Sequence, residues 1–531
     1  MSHQKRPERD WRLWLTVGLG LVILAGGAFL RLHNLNQYGL NSDEAVYAGQ
    51  AAGLAGFAQY RDLFGLFRAH PLLVQLLVSL VYRFTGVSGL TAREVCVGFG
   101  LAMIVVVGVA AYLFWGRVGG LIGMLFMAVS PYAINVSRQM LLDGPEAFFV
   151  ACCVLCFLLY LRQRRDEYFL GGAFAAGLAF LSKESAILLL PALLLFFVLV
   201  PEVLPRRRVL IGSTVMYLVM VVIYPLAELG SGKSSTGTDY LTWQILRPAN
   251  HDLLFYFGIF GVIGWAITAL ALVGIGLALV RRESADLLLL TVTLVVFAFL
   301  EIWPTKGYEY LLPLIGPLVL LSVSGAMWLG SELSRPFQAT VRRTRRGIRQ
   351  GGIWVPGGLA VVAVATIFAT ASPVVTADAG STSIVGTDSG TPTPARVTAL
   401  AGSGGLLAGR PSGLWVGEHT LPGSVFLTIG PTFANILEFY GHRRALALSV
   451  SPNPLHRNPS YAPVGNADKL IRSGSVQYLV YDAYSAARTK HFAARLLSLA
   501  HKFSGVLVYQ YDRQAHRGQG NALVLIYEVQ P

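Results

Sequence analysis

Long apolar segments recur along most of this chain, and they restrict its possible folds more than any other feature. Runs approaching or exceeding the ~20 residues that a helix needs to cross a bilayer recur between Trp11 and Pro373. Of 531 residues, 54% are hydrophobic and 13% are charged, against roughly 25% charged residues in a soluble domain. The sequence therefore predicts a polytopic α-helical membrane protein rather than a soluble enzyme with one anchor.

The formal net charge of +14 lies mainly in short Arg and Lys clusters between the apolar runs. Such clusters are typical of cytoplasmic loops, and the last of them also suits contact with anionic lipid headgroups. This distribution indicates a lipid bilayer as the partner and argues against nucleic acid. The clusters lie at 5–12, 162–165, 206–208, 281–282 and 335–349.

The positions of the basic clusters also predict the topology. The first helix, about 12–31, runs outward from a cytoplasmic N-terminus and is long for the apolar region of a signal peptide. Segment 70–86 has roughly 15 apolar residues, too few for a comfortable crossing, and we interpret it as a juxtamembrane or partly inserted helix on the outer face. Further spans, about eleven in total with the first, are predicted near 90–114, 118–135, 144–161, 168–182, 184–203, 208–228, 252–280, 286–303, 309–330 and 353–373. The protein is thus expected in the plasma membrane, with its C-terminus outside.

After Pro373 the chain changes to a stretch rich in Gly, Ser, Thr and Pro, which is typical of a linker. Five strand-like runs follow, SVFLTIG, ALALSV, QYLVYD, GVLVYQY and ALVLIYEV, with helix-like runs between the first four. This alternation predicts an α/β layer domain. We therefore expect a membrane domain at 1–375, with a first outer loop at 32–89, and an extracytoplasmic α/β domain at 376–531. Asp482 ends the third strand, where open α/β sheets often bind ligands, but the more ordinary interpretation is the N-cap of the next helix.

Acidic residues in two loops of the outer face are candidates for chemistry, because ionisable groups at membrane depth are costly and mark functional sites. Asp43 and Glu44 follow the first span, where Ser42 can cap a helix and the acids suit its positive end. Capping does not account for Asp143, a second acid on a separate outer loop just before a helix.

Cations and aromatic residues join these acids on the predicted outer face. Arg138, Lys183 and Lys306 lie where an anionic lipid headgroup would sit. The remaining candidates for substrate binding are Tyr47, Arg61, His70 and Tyr310. Acids and cations together at one membrane surface suit chemistry on a lipid phosphate.

Four segments carry a resemblance to a known superfamily. LNSDEAVYAGQA, SRQMLLDGPEAFF, LSKESAILLLPALLL and WPTKGYEYLLPLIGPL occur in this order, within roughly residues 10–335. Together they resemble motifs of the GT-C glycosyltransferases, closest to the branch of the protein mannosyltransferases and aminoarabinose transferases. The resemblance implies a GT-C-type membrane fold, a polyprenyl-phosphate-linked sugar as donor, and work on the extracytoplasmic face.

The resemblance also implies roles for individual residues. Asp43 matches the first-loop acid that acts as catalytic base, with Glu44 beside it, and Asp143 matches the acid of the second loop. The motif lysines that face the donor phosphate are matched by Lys183 and Lys306. Tyr310 matches the aromatic residue before the LLP run. His70-Pro71 stands where aminoarabinose transferases have Lys-Pro, a departure from that subgroup.

These features predict an inverting glycosyltransferase that moves a sugar to a hydroxyl of a protein, glycan or glycolipid. Asp43 would remove the proton of the acceptor hydroxyl. Glu44, about 100° further around the helix, would orient that base, bind sugar hydroxyls or help hold a metal. Arg138, Lys183 and Lys306 would stabilise the departing phosphate. Alternatively, Asp43 and Asp143 on facing loops would bind Mg²⁺ or Mn²⁺.

Two other classes of protein also need such charges. A membrane transporter or lipid flippase with an outer binding domain usually shows paired halves and broken helices, and the sequence shows neither. A receptor or assembly factor that displays the α/β domain would tolerate the loss of both Asp43 and Asp143 without a biochemical effect beyond stability.

Overall fold

The computed structural model describes residues 11–66, 70–231, 236–246, 253–344, 406, 408–512 and 522–530. Within these ranges the first part of the chain is helical and the last part forms a sheet covered by helices. The predicted span at 353–373, the predicted linker and the predicted domain boundary at 375 lie outside the described residues.

The helices of the membrane domain are numbered α1 to α14 in chain order. They cover Trp11–Leu32, Ser42–Ala55, Ala58–Arg61, Leu73–Thr85, Gly89–Val129, Pro131–Ser137, Asp143–Gln163, Asp166–Ser182, Leu189–Leu199, Arg207–Gly230, Thr236–Leu246, Phe255–Arg281, Ser284–Ile302 and Ile315–Thr344. Short 3₁₀ helices lie at Glu184–Leu188, Pro201–Val203 and Tyr308–Leu314.

The prediction of a polytopic membrane protein is confirmed. Seven helical stretches of the described residues are long and apolar enough to cross a membrane: Trp11–Leu32, Gly89–Val129, Asp143–Gln163, Arg207–Gly230, Phe255–Arg281, Ser284–Ile302 and Tyr308–Leu333. Gly116, at φ 65°, interrupts α5 and divides it into the two spans predicted there. Two shorter helical stretches, Asp166–Ser182 and Glu184–Leu199, occupy the predicted spans at 168–182 and 184–203. The total of eleven stays a prediction.

The predicted outer-face helix at 70–86 is present as α4, Leu73–Thr85. Its 13 residues are too few to cross a bilayer in a straight line. Val74, Val78 and Tyr82 are buried against the neighbouring helices, whereas Phe84 on the opposite side is exposed. The helix thus packs one side against the protein and leaves an apolar side chain exposed on the other, and its depth in the membrane stays a prediction.

The C-terminal domain contains a five-stranded sheet of order β2-β1-β3-β5-β4. The strands are Val425–Thr428, Arg444–Ala447, Tyr478–Asp482, Val506–Asp512 and Ala522–Glu528. The first three are parallel, β5 runs antiparallel to β3, and β4 runs antiparallel to β5. All five predicted strands are thus confirmed.

The helices of this domain, α15 to α19, are Gly409–His419, Pro431–Gly441, Ala467–Arg472, Ala483–Arg488 and Lys490–Lys502. Helix α15 precedes the first strand and was not expected from the sequence. The single helix expected after the third strand is two helices, because Thr489 adopts a non-helical conformation between them. Asp482 caps the first of the two through a hydrogen bond from the Ser485 amide, as predicted.

The C-terminal domain packs on the first outer loop. Tyr60 and Phe64 from the loop share one hydrophobic core with Phe439 from α16, and the Tyr60 and Phe439 rings lie 5.5 Å apart. The Leu40 amide donates a hydrogen bond to the Tyr440 hydroxyl at 2.9 Å. The two segments therefore lie on the same side of the membrane domain.

Candidate active site

Helix α2 carries the first pair of acids, and a capping box fixes where it begins. The Asn41 side chain accepts a hydrogen bond from the Glu44 amide, and the Glu44 carboxylate accepts one from the Asn41 amide, each at 2.9 Å. The cap is thus Asn41 and not Ser42, which is the first residue of the helix. Because two orphan amides are satisfied reciprocally, the start of the helix is well determined.

The Glu44 side chain is fully buried behind this cap. Arg93 donates to both of its carboxylate oxygens, at 2.7 and 2.6 Å, and the Met140 amide donates to Oε1 at 2.8 Å. Arg93 also donates to the backbone carbonyls of Leu35, Tyr38 and Gly39. A carboxylate held by this many donors fixes the first outer loop against α5 and faces away from the open cavity described next.

Asp43, one residue earlier, faces an open cavity lined by residues of both the membrane domain and the C-terminal domain. Water reaches the Asp43 carboxylate through the cavity opening. The protein that surrounds the cavity nevertheless replaces part of the solvent around this group, and this loss of solvation is the main reason that the pKa of Asp43 is raised above its usual value. The charges of His70 and Lys183 oppose this rise, and those of Asp143 and Glu44 add to it. No described residue donates a hydrogen bond to Asp43, so its carboxylate can accept a proton from a substrate.

Asp143 and Lys183 meet in the same cavity. The Lys183 Nζ lies 2.6 Å from Asp143 Oδ1, and both side chains are almost fully buried. Asp143 is the first residue of α7, where the helix dipole favours a negative charge. Lys183 extends from the end of α8, and its Nζ lies 4.2 Å from the centre of the Tyr310 ring. The bond to Asp143 thus places the Lys183 ammonium group at the wall of the cavity.

The cavity brings together six of the ten predicted site residues: Asp43, Tyr47, His70, Asp143, Lys183 and Tyr310. His70 is fixed from behind, because its Nδ1 lies 2.8 Å from a carboxylate oxygen of Glu184. The His70 ring also contacts Tyr47 and Tyr240 edge-on, with ring centres 6.0 and 5.4 Å apart. Residues from widely separated parts of the chain thus form one wall.

Lys306 does not line this cavity, which differs from the predicted convergence. Its Nζ donates to the carbonyl oxygens of Leu300 and Glu301 at 2.7 and 2.6 Å. These carbonyls belong to the last turn of α13, where a lysine stabilises the helix end. The Lys306 ammonium group thus binds backbone carbonyls and does not face the cavity beside Asp43.

Arg138 and Arg61 also lie outside the cavity lining. Arg138 follows α6 and donates to the His33 carbonyl at 2.6 Å, near the end of the first span. Arg61 ends the short helix α3 and its side chain is exposed. With Glu44 and Lys306, these are the four predicted site residues that the fold separates from Asp43.

Several lining residues were missed by the sequence reasoning. Glu309 lies in the same WPTKGYEY segment as Lys306 and Tyr310, so the signal was present but was assigned to the lysine. Gln50 of α2 lies in the LNSDEAVYAGQA segment but was not singled out there, and Tyr240 of α11 belongs to none of the four segments. The C-terminal domain adds Asn458, Ser460 and Tyr461. These three lie in a loop between β2 and β3, and nothing in the sequence connects them to the membrane domain.

A divalent cation does not fit the described residues well. No group of three or more His, Cys, Asp or Glu side chains with metal-ligating geometry occurs among them. In addition, the Lys183 ammonium group already neutralises Asp143. We therefore derive no step through a metal ion bound by Asp43 and Asp143.

Comparison with known proteins agrees with these features. The family of dolichyl-phosphate-mannose-protein mannosyltransferases matches residues 69–227. No curated protein sequence matches the chain significantly. The crystal structure of ArnT from Cupriavidus metallidurans bound to undecaprenyl phosphate is similar, with a TM-score of 0.66 and 15% identity over 98% of both chains. The archaeal oligosaccharyltransferase AglB from Archaeoglobus fulgidus, in complex with an inhibitory peptide and a dolichol-phosphate, has a TM-score of 0.60 and 12% identity, over 97% of this chain and 74% of that one.

Proposed function

We propose that this polytopic membrane protein, which has the GT-C fold and resembles the mannosyltransferase and aminoarabinose transferase branch, is a glycosyltransferase with a polyprenyl-phosphate-linked sugar as donor. The observation that carries the proposal is the convergence of Asp43, Asp143 and Lys183 in one cavity. Similar folds bind undecaprenyl phosphate in ArnT and a dolichol-phosphate in AglB. In a displacement at a sugar phosphate, the base would take the proton of the attacking hydroxyl and the cation would stabilise the leaving phosphate. A cavity that contains both groups suits this reaction.

Asp43 is the base in this proposal. Asp143 is bonded to Lys183 and Glu44 is bonded to Arg93, so neither carboxylate is as free to accept a proton. A raised pKa also makes Asp43 a stronger base than an ordinary aspartate. Glu44 supports this role from behind, because it fixes the first turn of the helix that presents Asp43.

Lys183 is the residue best placed to stabilise the departing phosphate. Its ammonium group lies at the cavity wall beside Asp143 and Tyr310, where little water screens its charge. Lys306 and Arg138 donate to backbone carbonyls instead, so their part is to hold the structure around the site. Tyr47, His70 and Tyr310 form the remaining contact surface for the sugar.

The transfer is a single displacement. The oxygen of an acceptor hydroxyl forms a bond to the anomeric carbon while the bond from that carbon to the phosphate oxygen breaks. The proton of the hydroxyl moves to Asp43 and then to solvent, and the bonding electron pair leaves with the polyprenyl phosphate. Because one bond forms as the other breaks on the opposite side, the anomeric configuration inverts.

The reaction takes place on the extracytoplasmic face in this proposal. The basic clusters between the spans favour a cytoplasmic N-terminus, which puts the first outer loop and the C-terminal domain outside. The acceptor is a hydroxyl of a protein, a glycan or a glycolipid in the cell envelope, and the protein itself is a multi-pass protein of the plasma membrane.

Mass spectrometry tests the proposal. Lipids and proteins are compared between cells that have the gene and cells that lack it. The cells that lack it are also complemented with the wild-type chain or with the Asp43→Asn variant. We expect one sugar modification to disappear without the gene and to return only with the wild-type chain. A co-purifying polyprenyl phosphate would identify the donor lipid. Movement of a lipid across liposomes without formation of a glycosidic bond would instead indicate a flippase.

A further inference from the structure

The two walls of the cavity differ in chemistry. The membrane-domain wall carries the carboxyl groups of Asp43, Asp143 and Glu309. The other wall comes from the C-terminal domain and consists of one amide and two hydroxyls, those of Asn458, Ser460 and Tyr461. We refer to these three residues as the C-terminal wall. All three are half-buried, so a ligand in the cavity can reach them.

Asn435 connects the C-terminal wall to the helix of the base. Its Nδ2 donates one hydrogen bond to Ser42 Oγ at 2.9 Å and another to the Tyr461 hydroxyl at 2.8 Å. Ser42 immediately precedes Asp43 at the start of α2. The Asn435 side chain is only 1% exposed, so water competes little for these bonds. Tyr461 and Asp43 are therefore held at a fixed separation by one amide.

Packing makes this link rigid. Helix α16, which carries Asn435, lies directly against α2, and their apolar side chains belong to one core. Gly413 and Gly441 let α15 and α16 approach closely, because a Cβ on Gly441 would lie 2.9 Å from a backbone oxygen. The C-terminal domain thus packs against the membrane domain and contributes part of the cavity lining.

Charge determines which acceptor suits the space between the walls. A phosphate or carboxylate acceptor placed beside Asp43 would face the negative charge of the deprotonated base itself, and like charges at short range repel. Lys183 is already bonded to Asp143 and serves the donor phosphate in the proposed reaction. Amide and hydroxyl groups instead bind other hydroxyls by neutral hydrogen bonds, in which each partner can donate or accept.

We propose that the C-terminal wall is the acceptor subsite, that it binds an uncharged acceptor rich in hydroxyl groups, and that Asn435 is the positioning residue that fixes this subsite relative to Asp43. The inference rests on the proposed function and narrows it, because it selects a neutral sugar or polyol surface over an anionic acceptor. Specificity arises because the site is built to hydrogen-bond hydroxyls. A ligand that cannot form these bonds leaves polar atoms of the site unpaired and is strongly disfavoured.

Kinetics with matched acceptors test the inference. The full-length protein in nanodiscs receives polyprenyl-phosphate sugars extracted from its own cells, with octyl glucoside or octyl glucoside 6-phosphate as acceptor, each below its micellar concentration. The phosphorylated acceptor retains sugar hydroxyls and adds a negative charge, and wild type should transfer to octyl glucoside at least tenfold faster than to it. Tyr461→Phe and Ser460→Ala should raise the KM for octyl glucoside by about 5-fold or more, as expected for the loss of a hydrogen bond of about 1 kcal/mol. The KM for the donor should stay within twofold.

Asn435→Leu should lower kcat as well, because both the acceptor wall and the Asp43 helix lose their common partner. Ser473→Ala, an exposed serine of the same domain, is the control and should leave both KM values unchanged. If Asn435→Leu does not fold, the variants at Tyr461 and Ser460 decide the question.

The failures of the two proposals are distinguishable. Equal or faster transfer to octyl glucoside 6-phosphate, an unchanged acceptor KM in Tyr461→Phe, or no transfer to octyl glucoside while native membrane acceptors are still modified would overturn the acceptor subsite alone. Absence of transfer from the donor extract to any acceptor, including the native membranes, would overturn the proposed function as well.

Discussion

Lys183 and Asp143 form a buried ion pair between the end of α8 and the start of α7, with Nζ 2.6 Å from Oδ1. Breaking such a pair leaves one uncompensated charge in the protein, at a cost of about 3–5 kcal/mol. We therefore expect Lys183→Met and Asp143→Asn each to lower the free energy of unfolding substantially. The double variant should be more stable than the sum of the two changes implies. Unfolding curves of the detergent-solubilised protein measure this, and strictly additive losses would contradict a direct pair.

Glu44 and Asp43 are neighbours in the sequence but are expected to respond differently to loss of charge. Glu44→Gln removes the partner of Arg93, which is 4% exposed, so the variant should lose about 3 kcal/mol or more of stability. Asp43→Asn should be at least as stable as the wild type, since no described residue bonds to that carboxylate and its raised pKa disfavours the charged form in the fold. Thermal unfolding of the two variants side by side makes the comparison. A fully stable Glu44→Gln chain that has lost transfer would show that Glu44 acts in the chemistry.

The pH dependence of transfer should follow Asp43. The base works when it is deprotonated, so kcat/KM should fall as the pH drops through the pKa of Asp43. Burial raises that pKa, helped by Asp143 and Glu44 and opposed by His70 and Lys183, so the fall should be centred above 3.8, the ordinary value. His70→Gln removes one opposing charge and should move the acid limb to higher pH. A limb that moves to lower pH in this variant would contradict the assignment.

Asp482 is expected to limit the stability of the C-terminal domain. Burial raises its pKa to about 6, against which the hydrogen bond with Ser485 acts, and Oδ2 has no partner among the described residues. The charged form is therefore disfavoured in the fold, and stability should fall as the pH rises from about 4 to about 6. The difference between 3.8 and about 6 corresponds to up to about 3 kcal/mol at neutral pH.

Asp482→Asn keeps a side-chain oxygen for the cap and removes the charge. The variant should unfold at a higher temperature than the wild type at pH 7.5, and the advantage should vanish near pH 4. A lower unfolding temperature at pH 7.5 would show that the carboxylate has a favourable partner.

Much of the fold could be predicted from periodicity and composition. Apolar runs alone located the membrane helices, and strand–helix alternation located every strand of the sheet from β1 to β5. The spans predicted at 90–114 and 118–135 leave a gap at 115–117, and Gly116 interrupts α5 within that gap. Helix ends were less accurate: the sequence favoured Ser42 as a cap, whereas Asn41 closes a box with Glu44. Two adjacent polar residues offer similar caps, and only the path of the chain decides between them.

Parts of the candidate site could be predicted from charged residues next to apolar helices, because membrane proteins seldom place charges there without a function. Asp43, Asp143 and Lys183 were found for that reason, and the cavity contains all three. Lys306 was assigned by the same rule and lies elsewhere, because the rule indicates an important charge but not the direction of its side chain. The partner of Glu44 is Arg93, 49 residues away, and such a pairing follows from tertiary packing alone. The same holds for Tyr461 and its bond to Asn435.

The rate of transfer by the Asp43→Asn variant tests the central claim most directly. Donor binding and single-turnover transfer are measured for the wild type, for Asp43→Asn and for Asp62→Asn, an exposed acid of the same outer loop that serves as the control. Loss of a general base typically costs 10²- to 10⁴-fold in rate. We expect Asp43→Asn to bind the donor as the wild type does and to transfer at least about 100-fold more slowly, with Asp62→Asn unaffected. Transfer by Asp43→Asn at the wild-type rate would contradict the account.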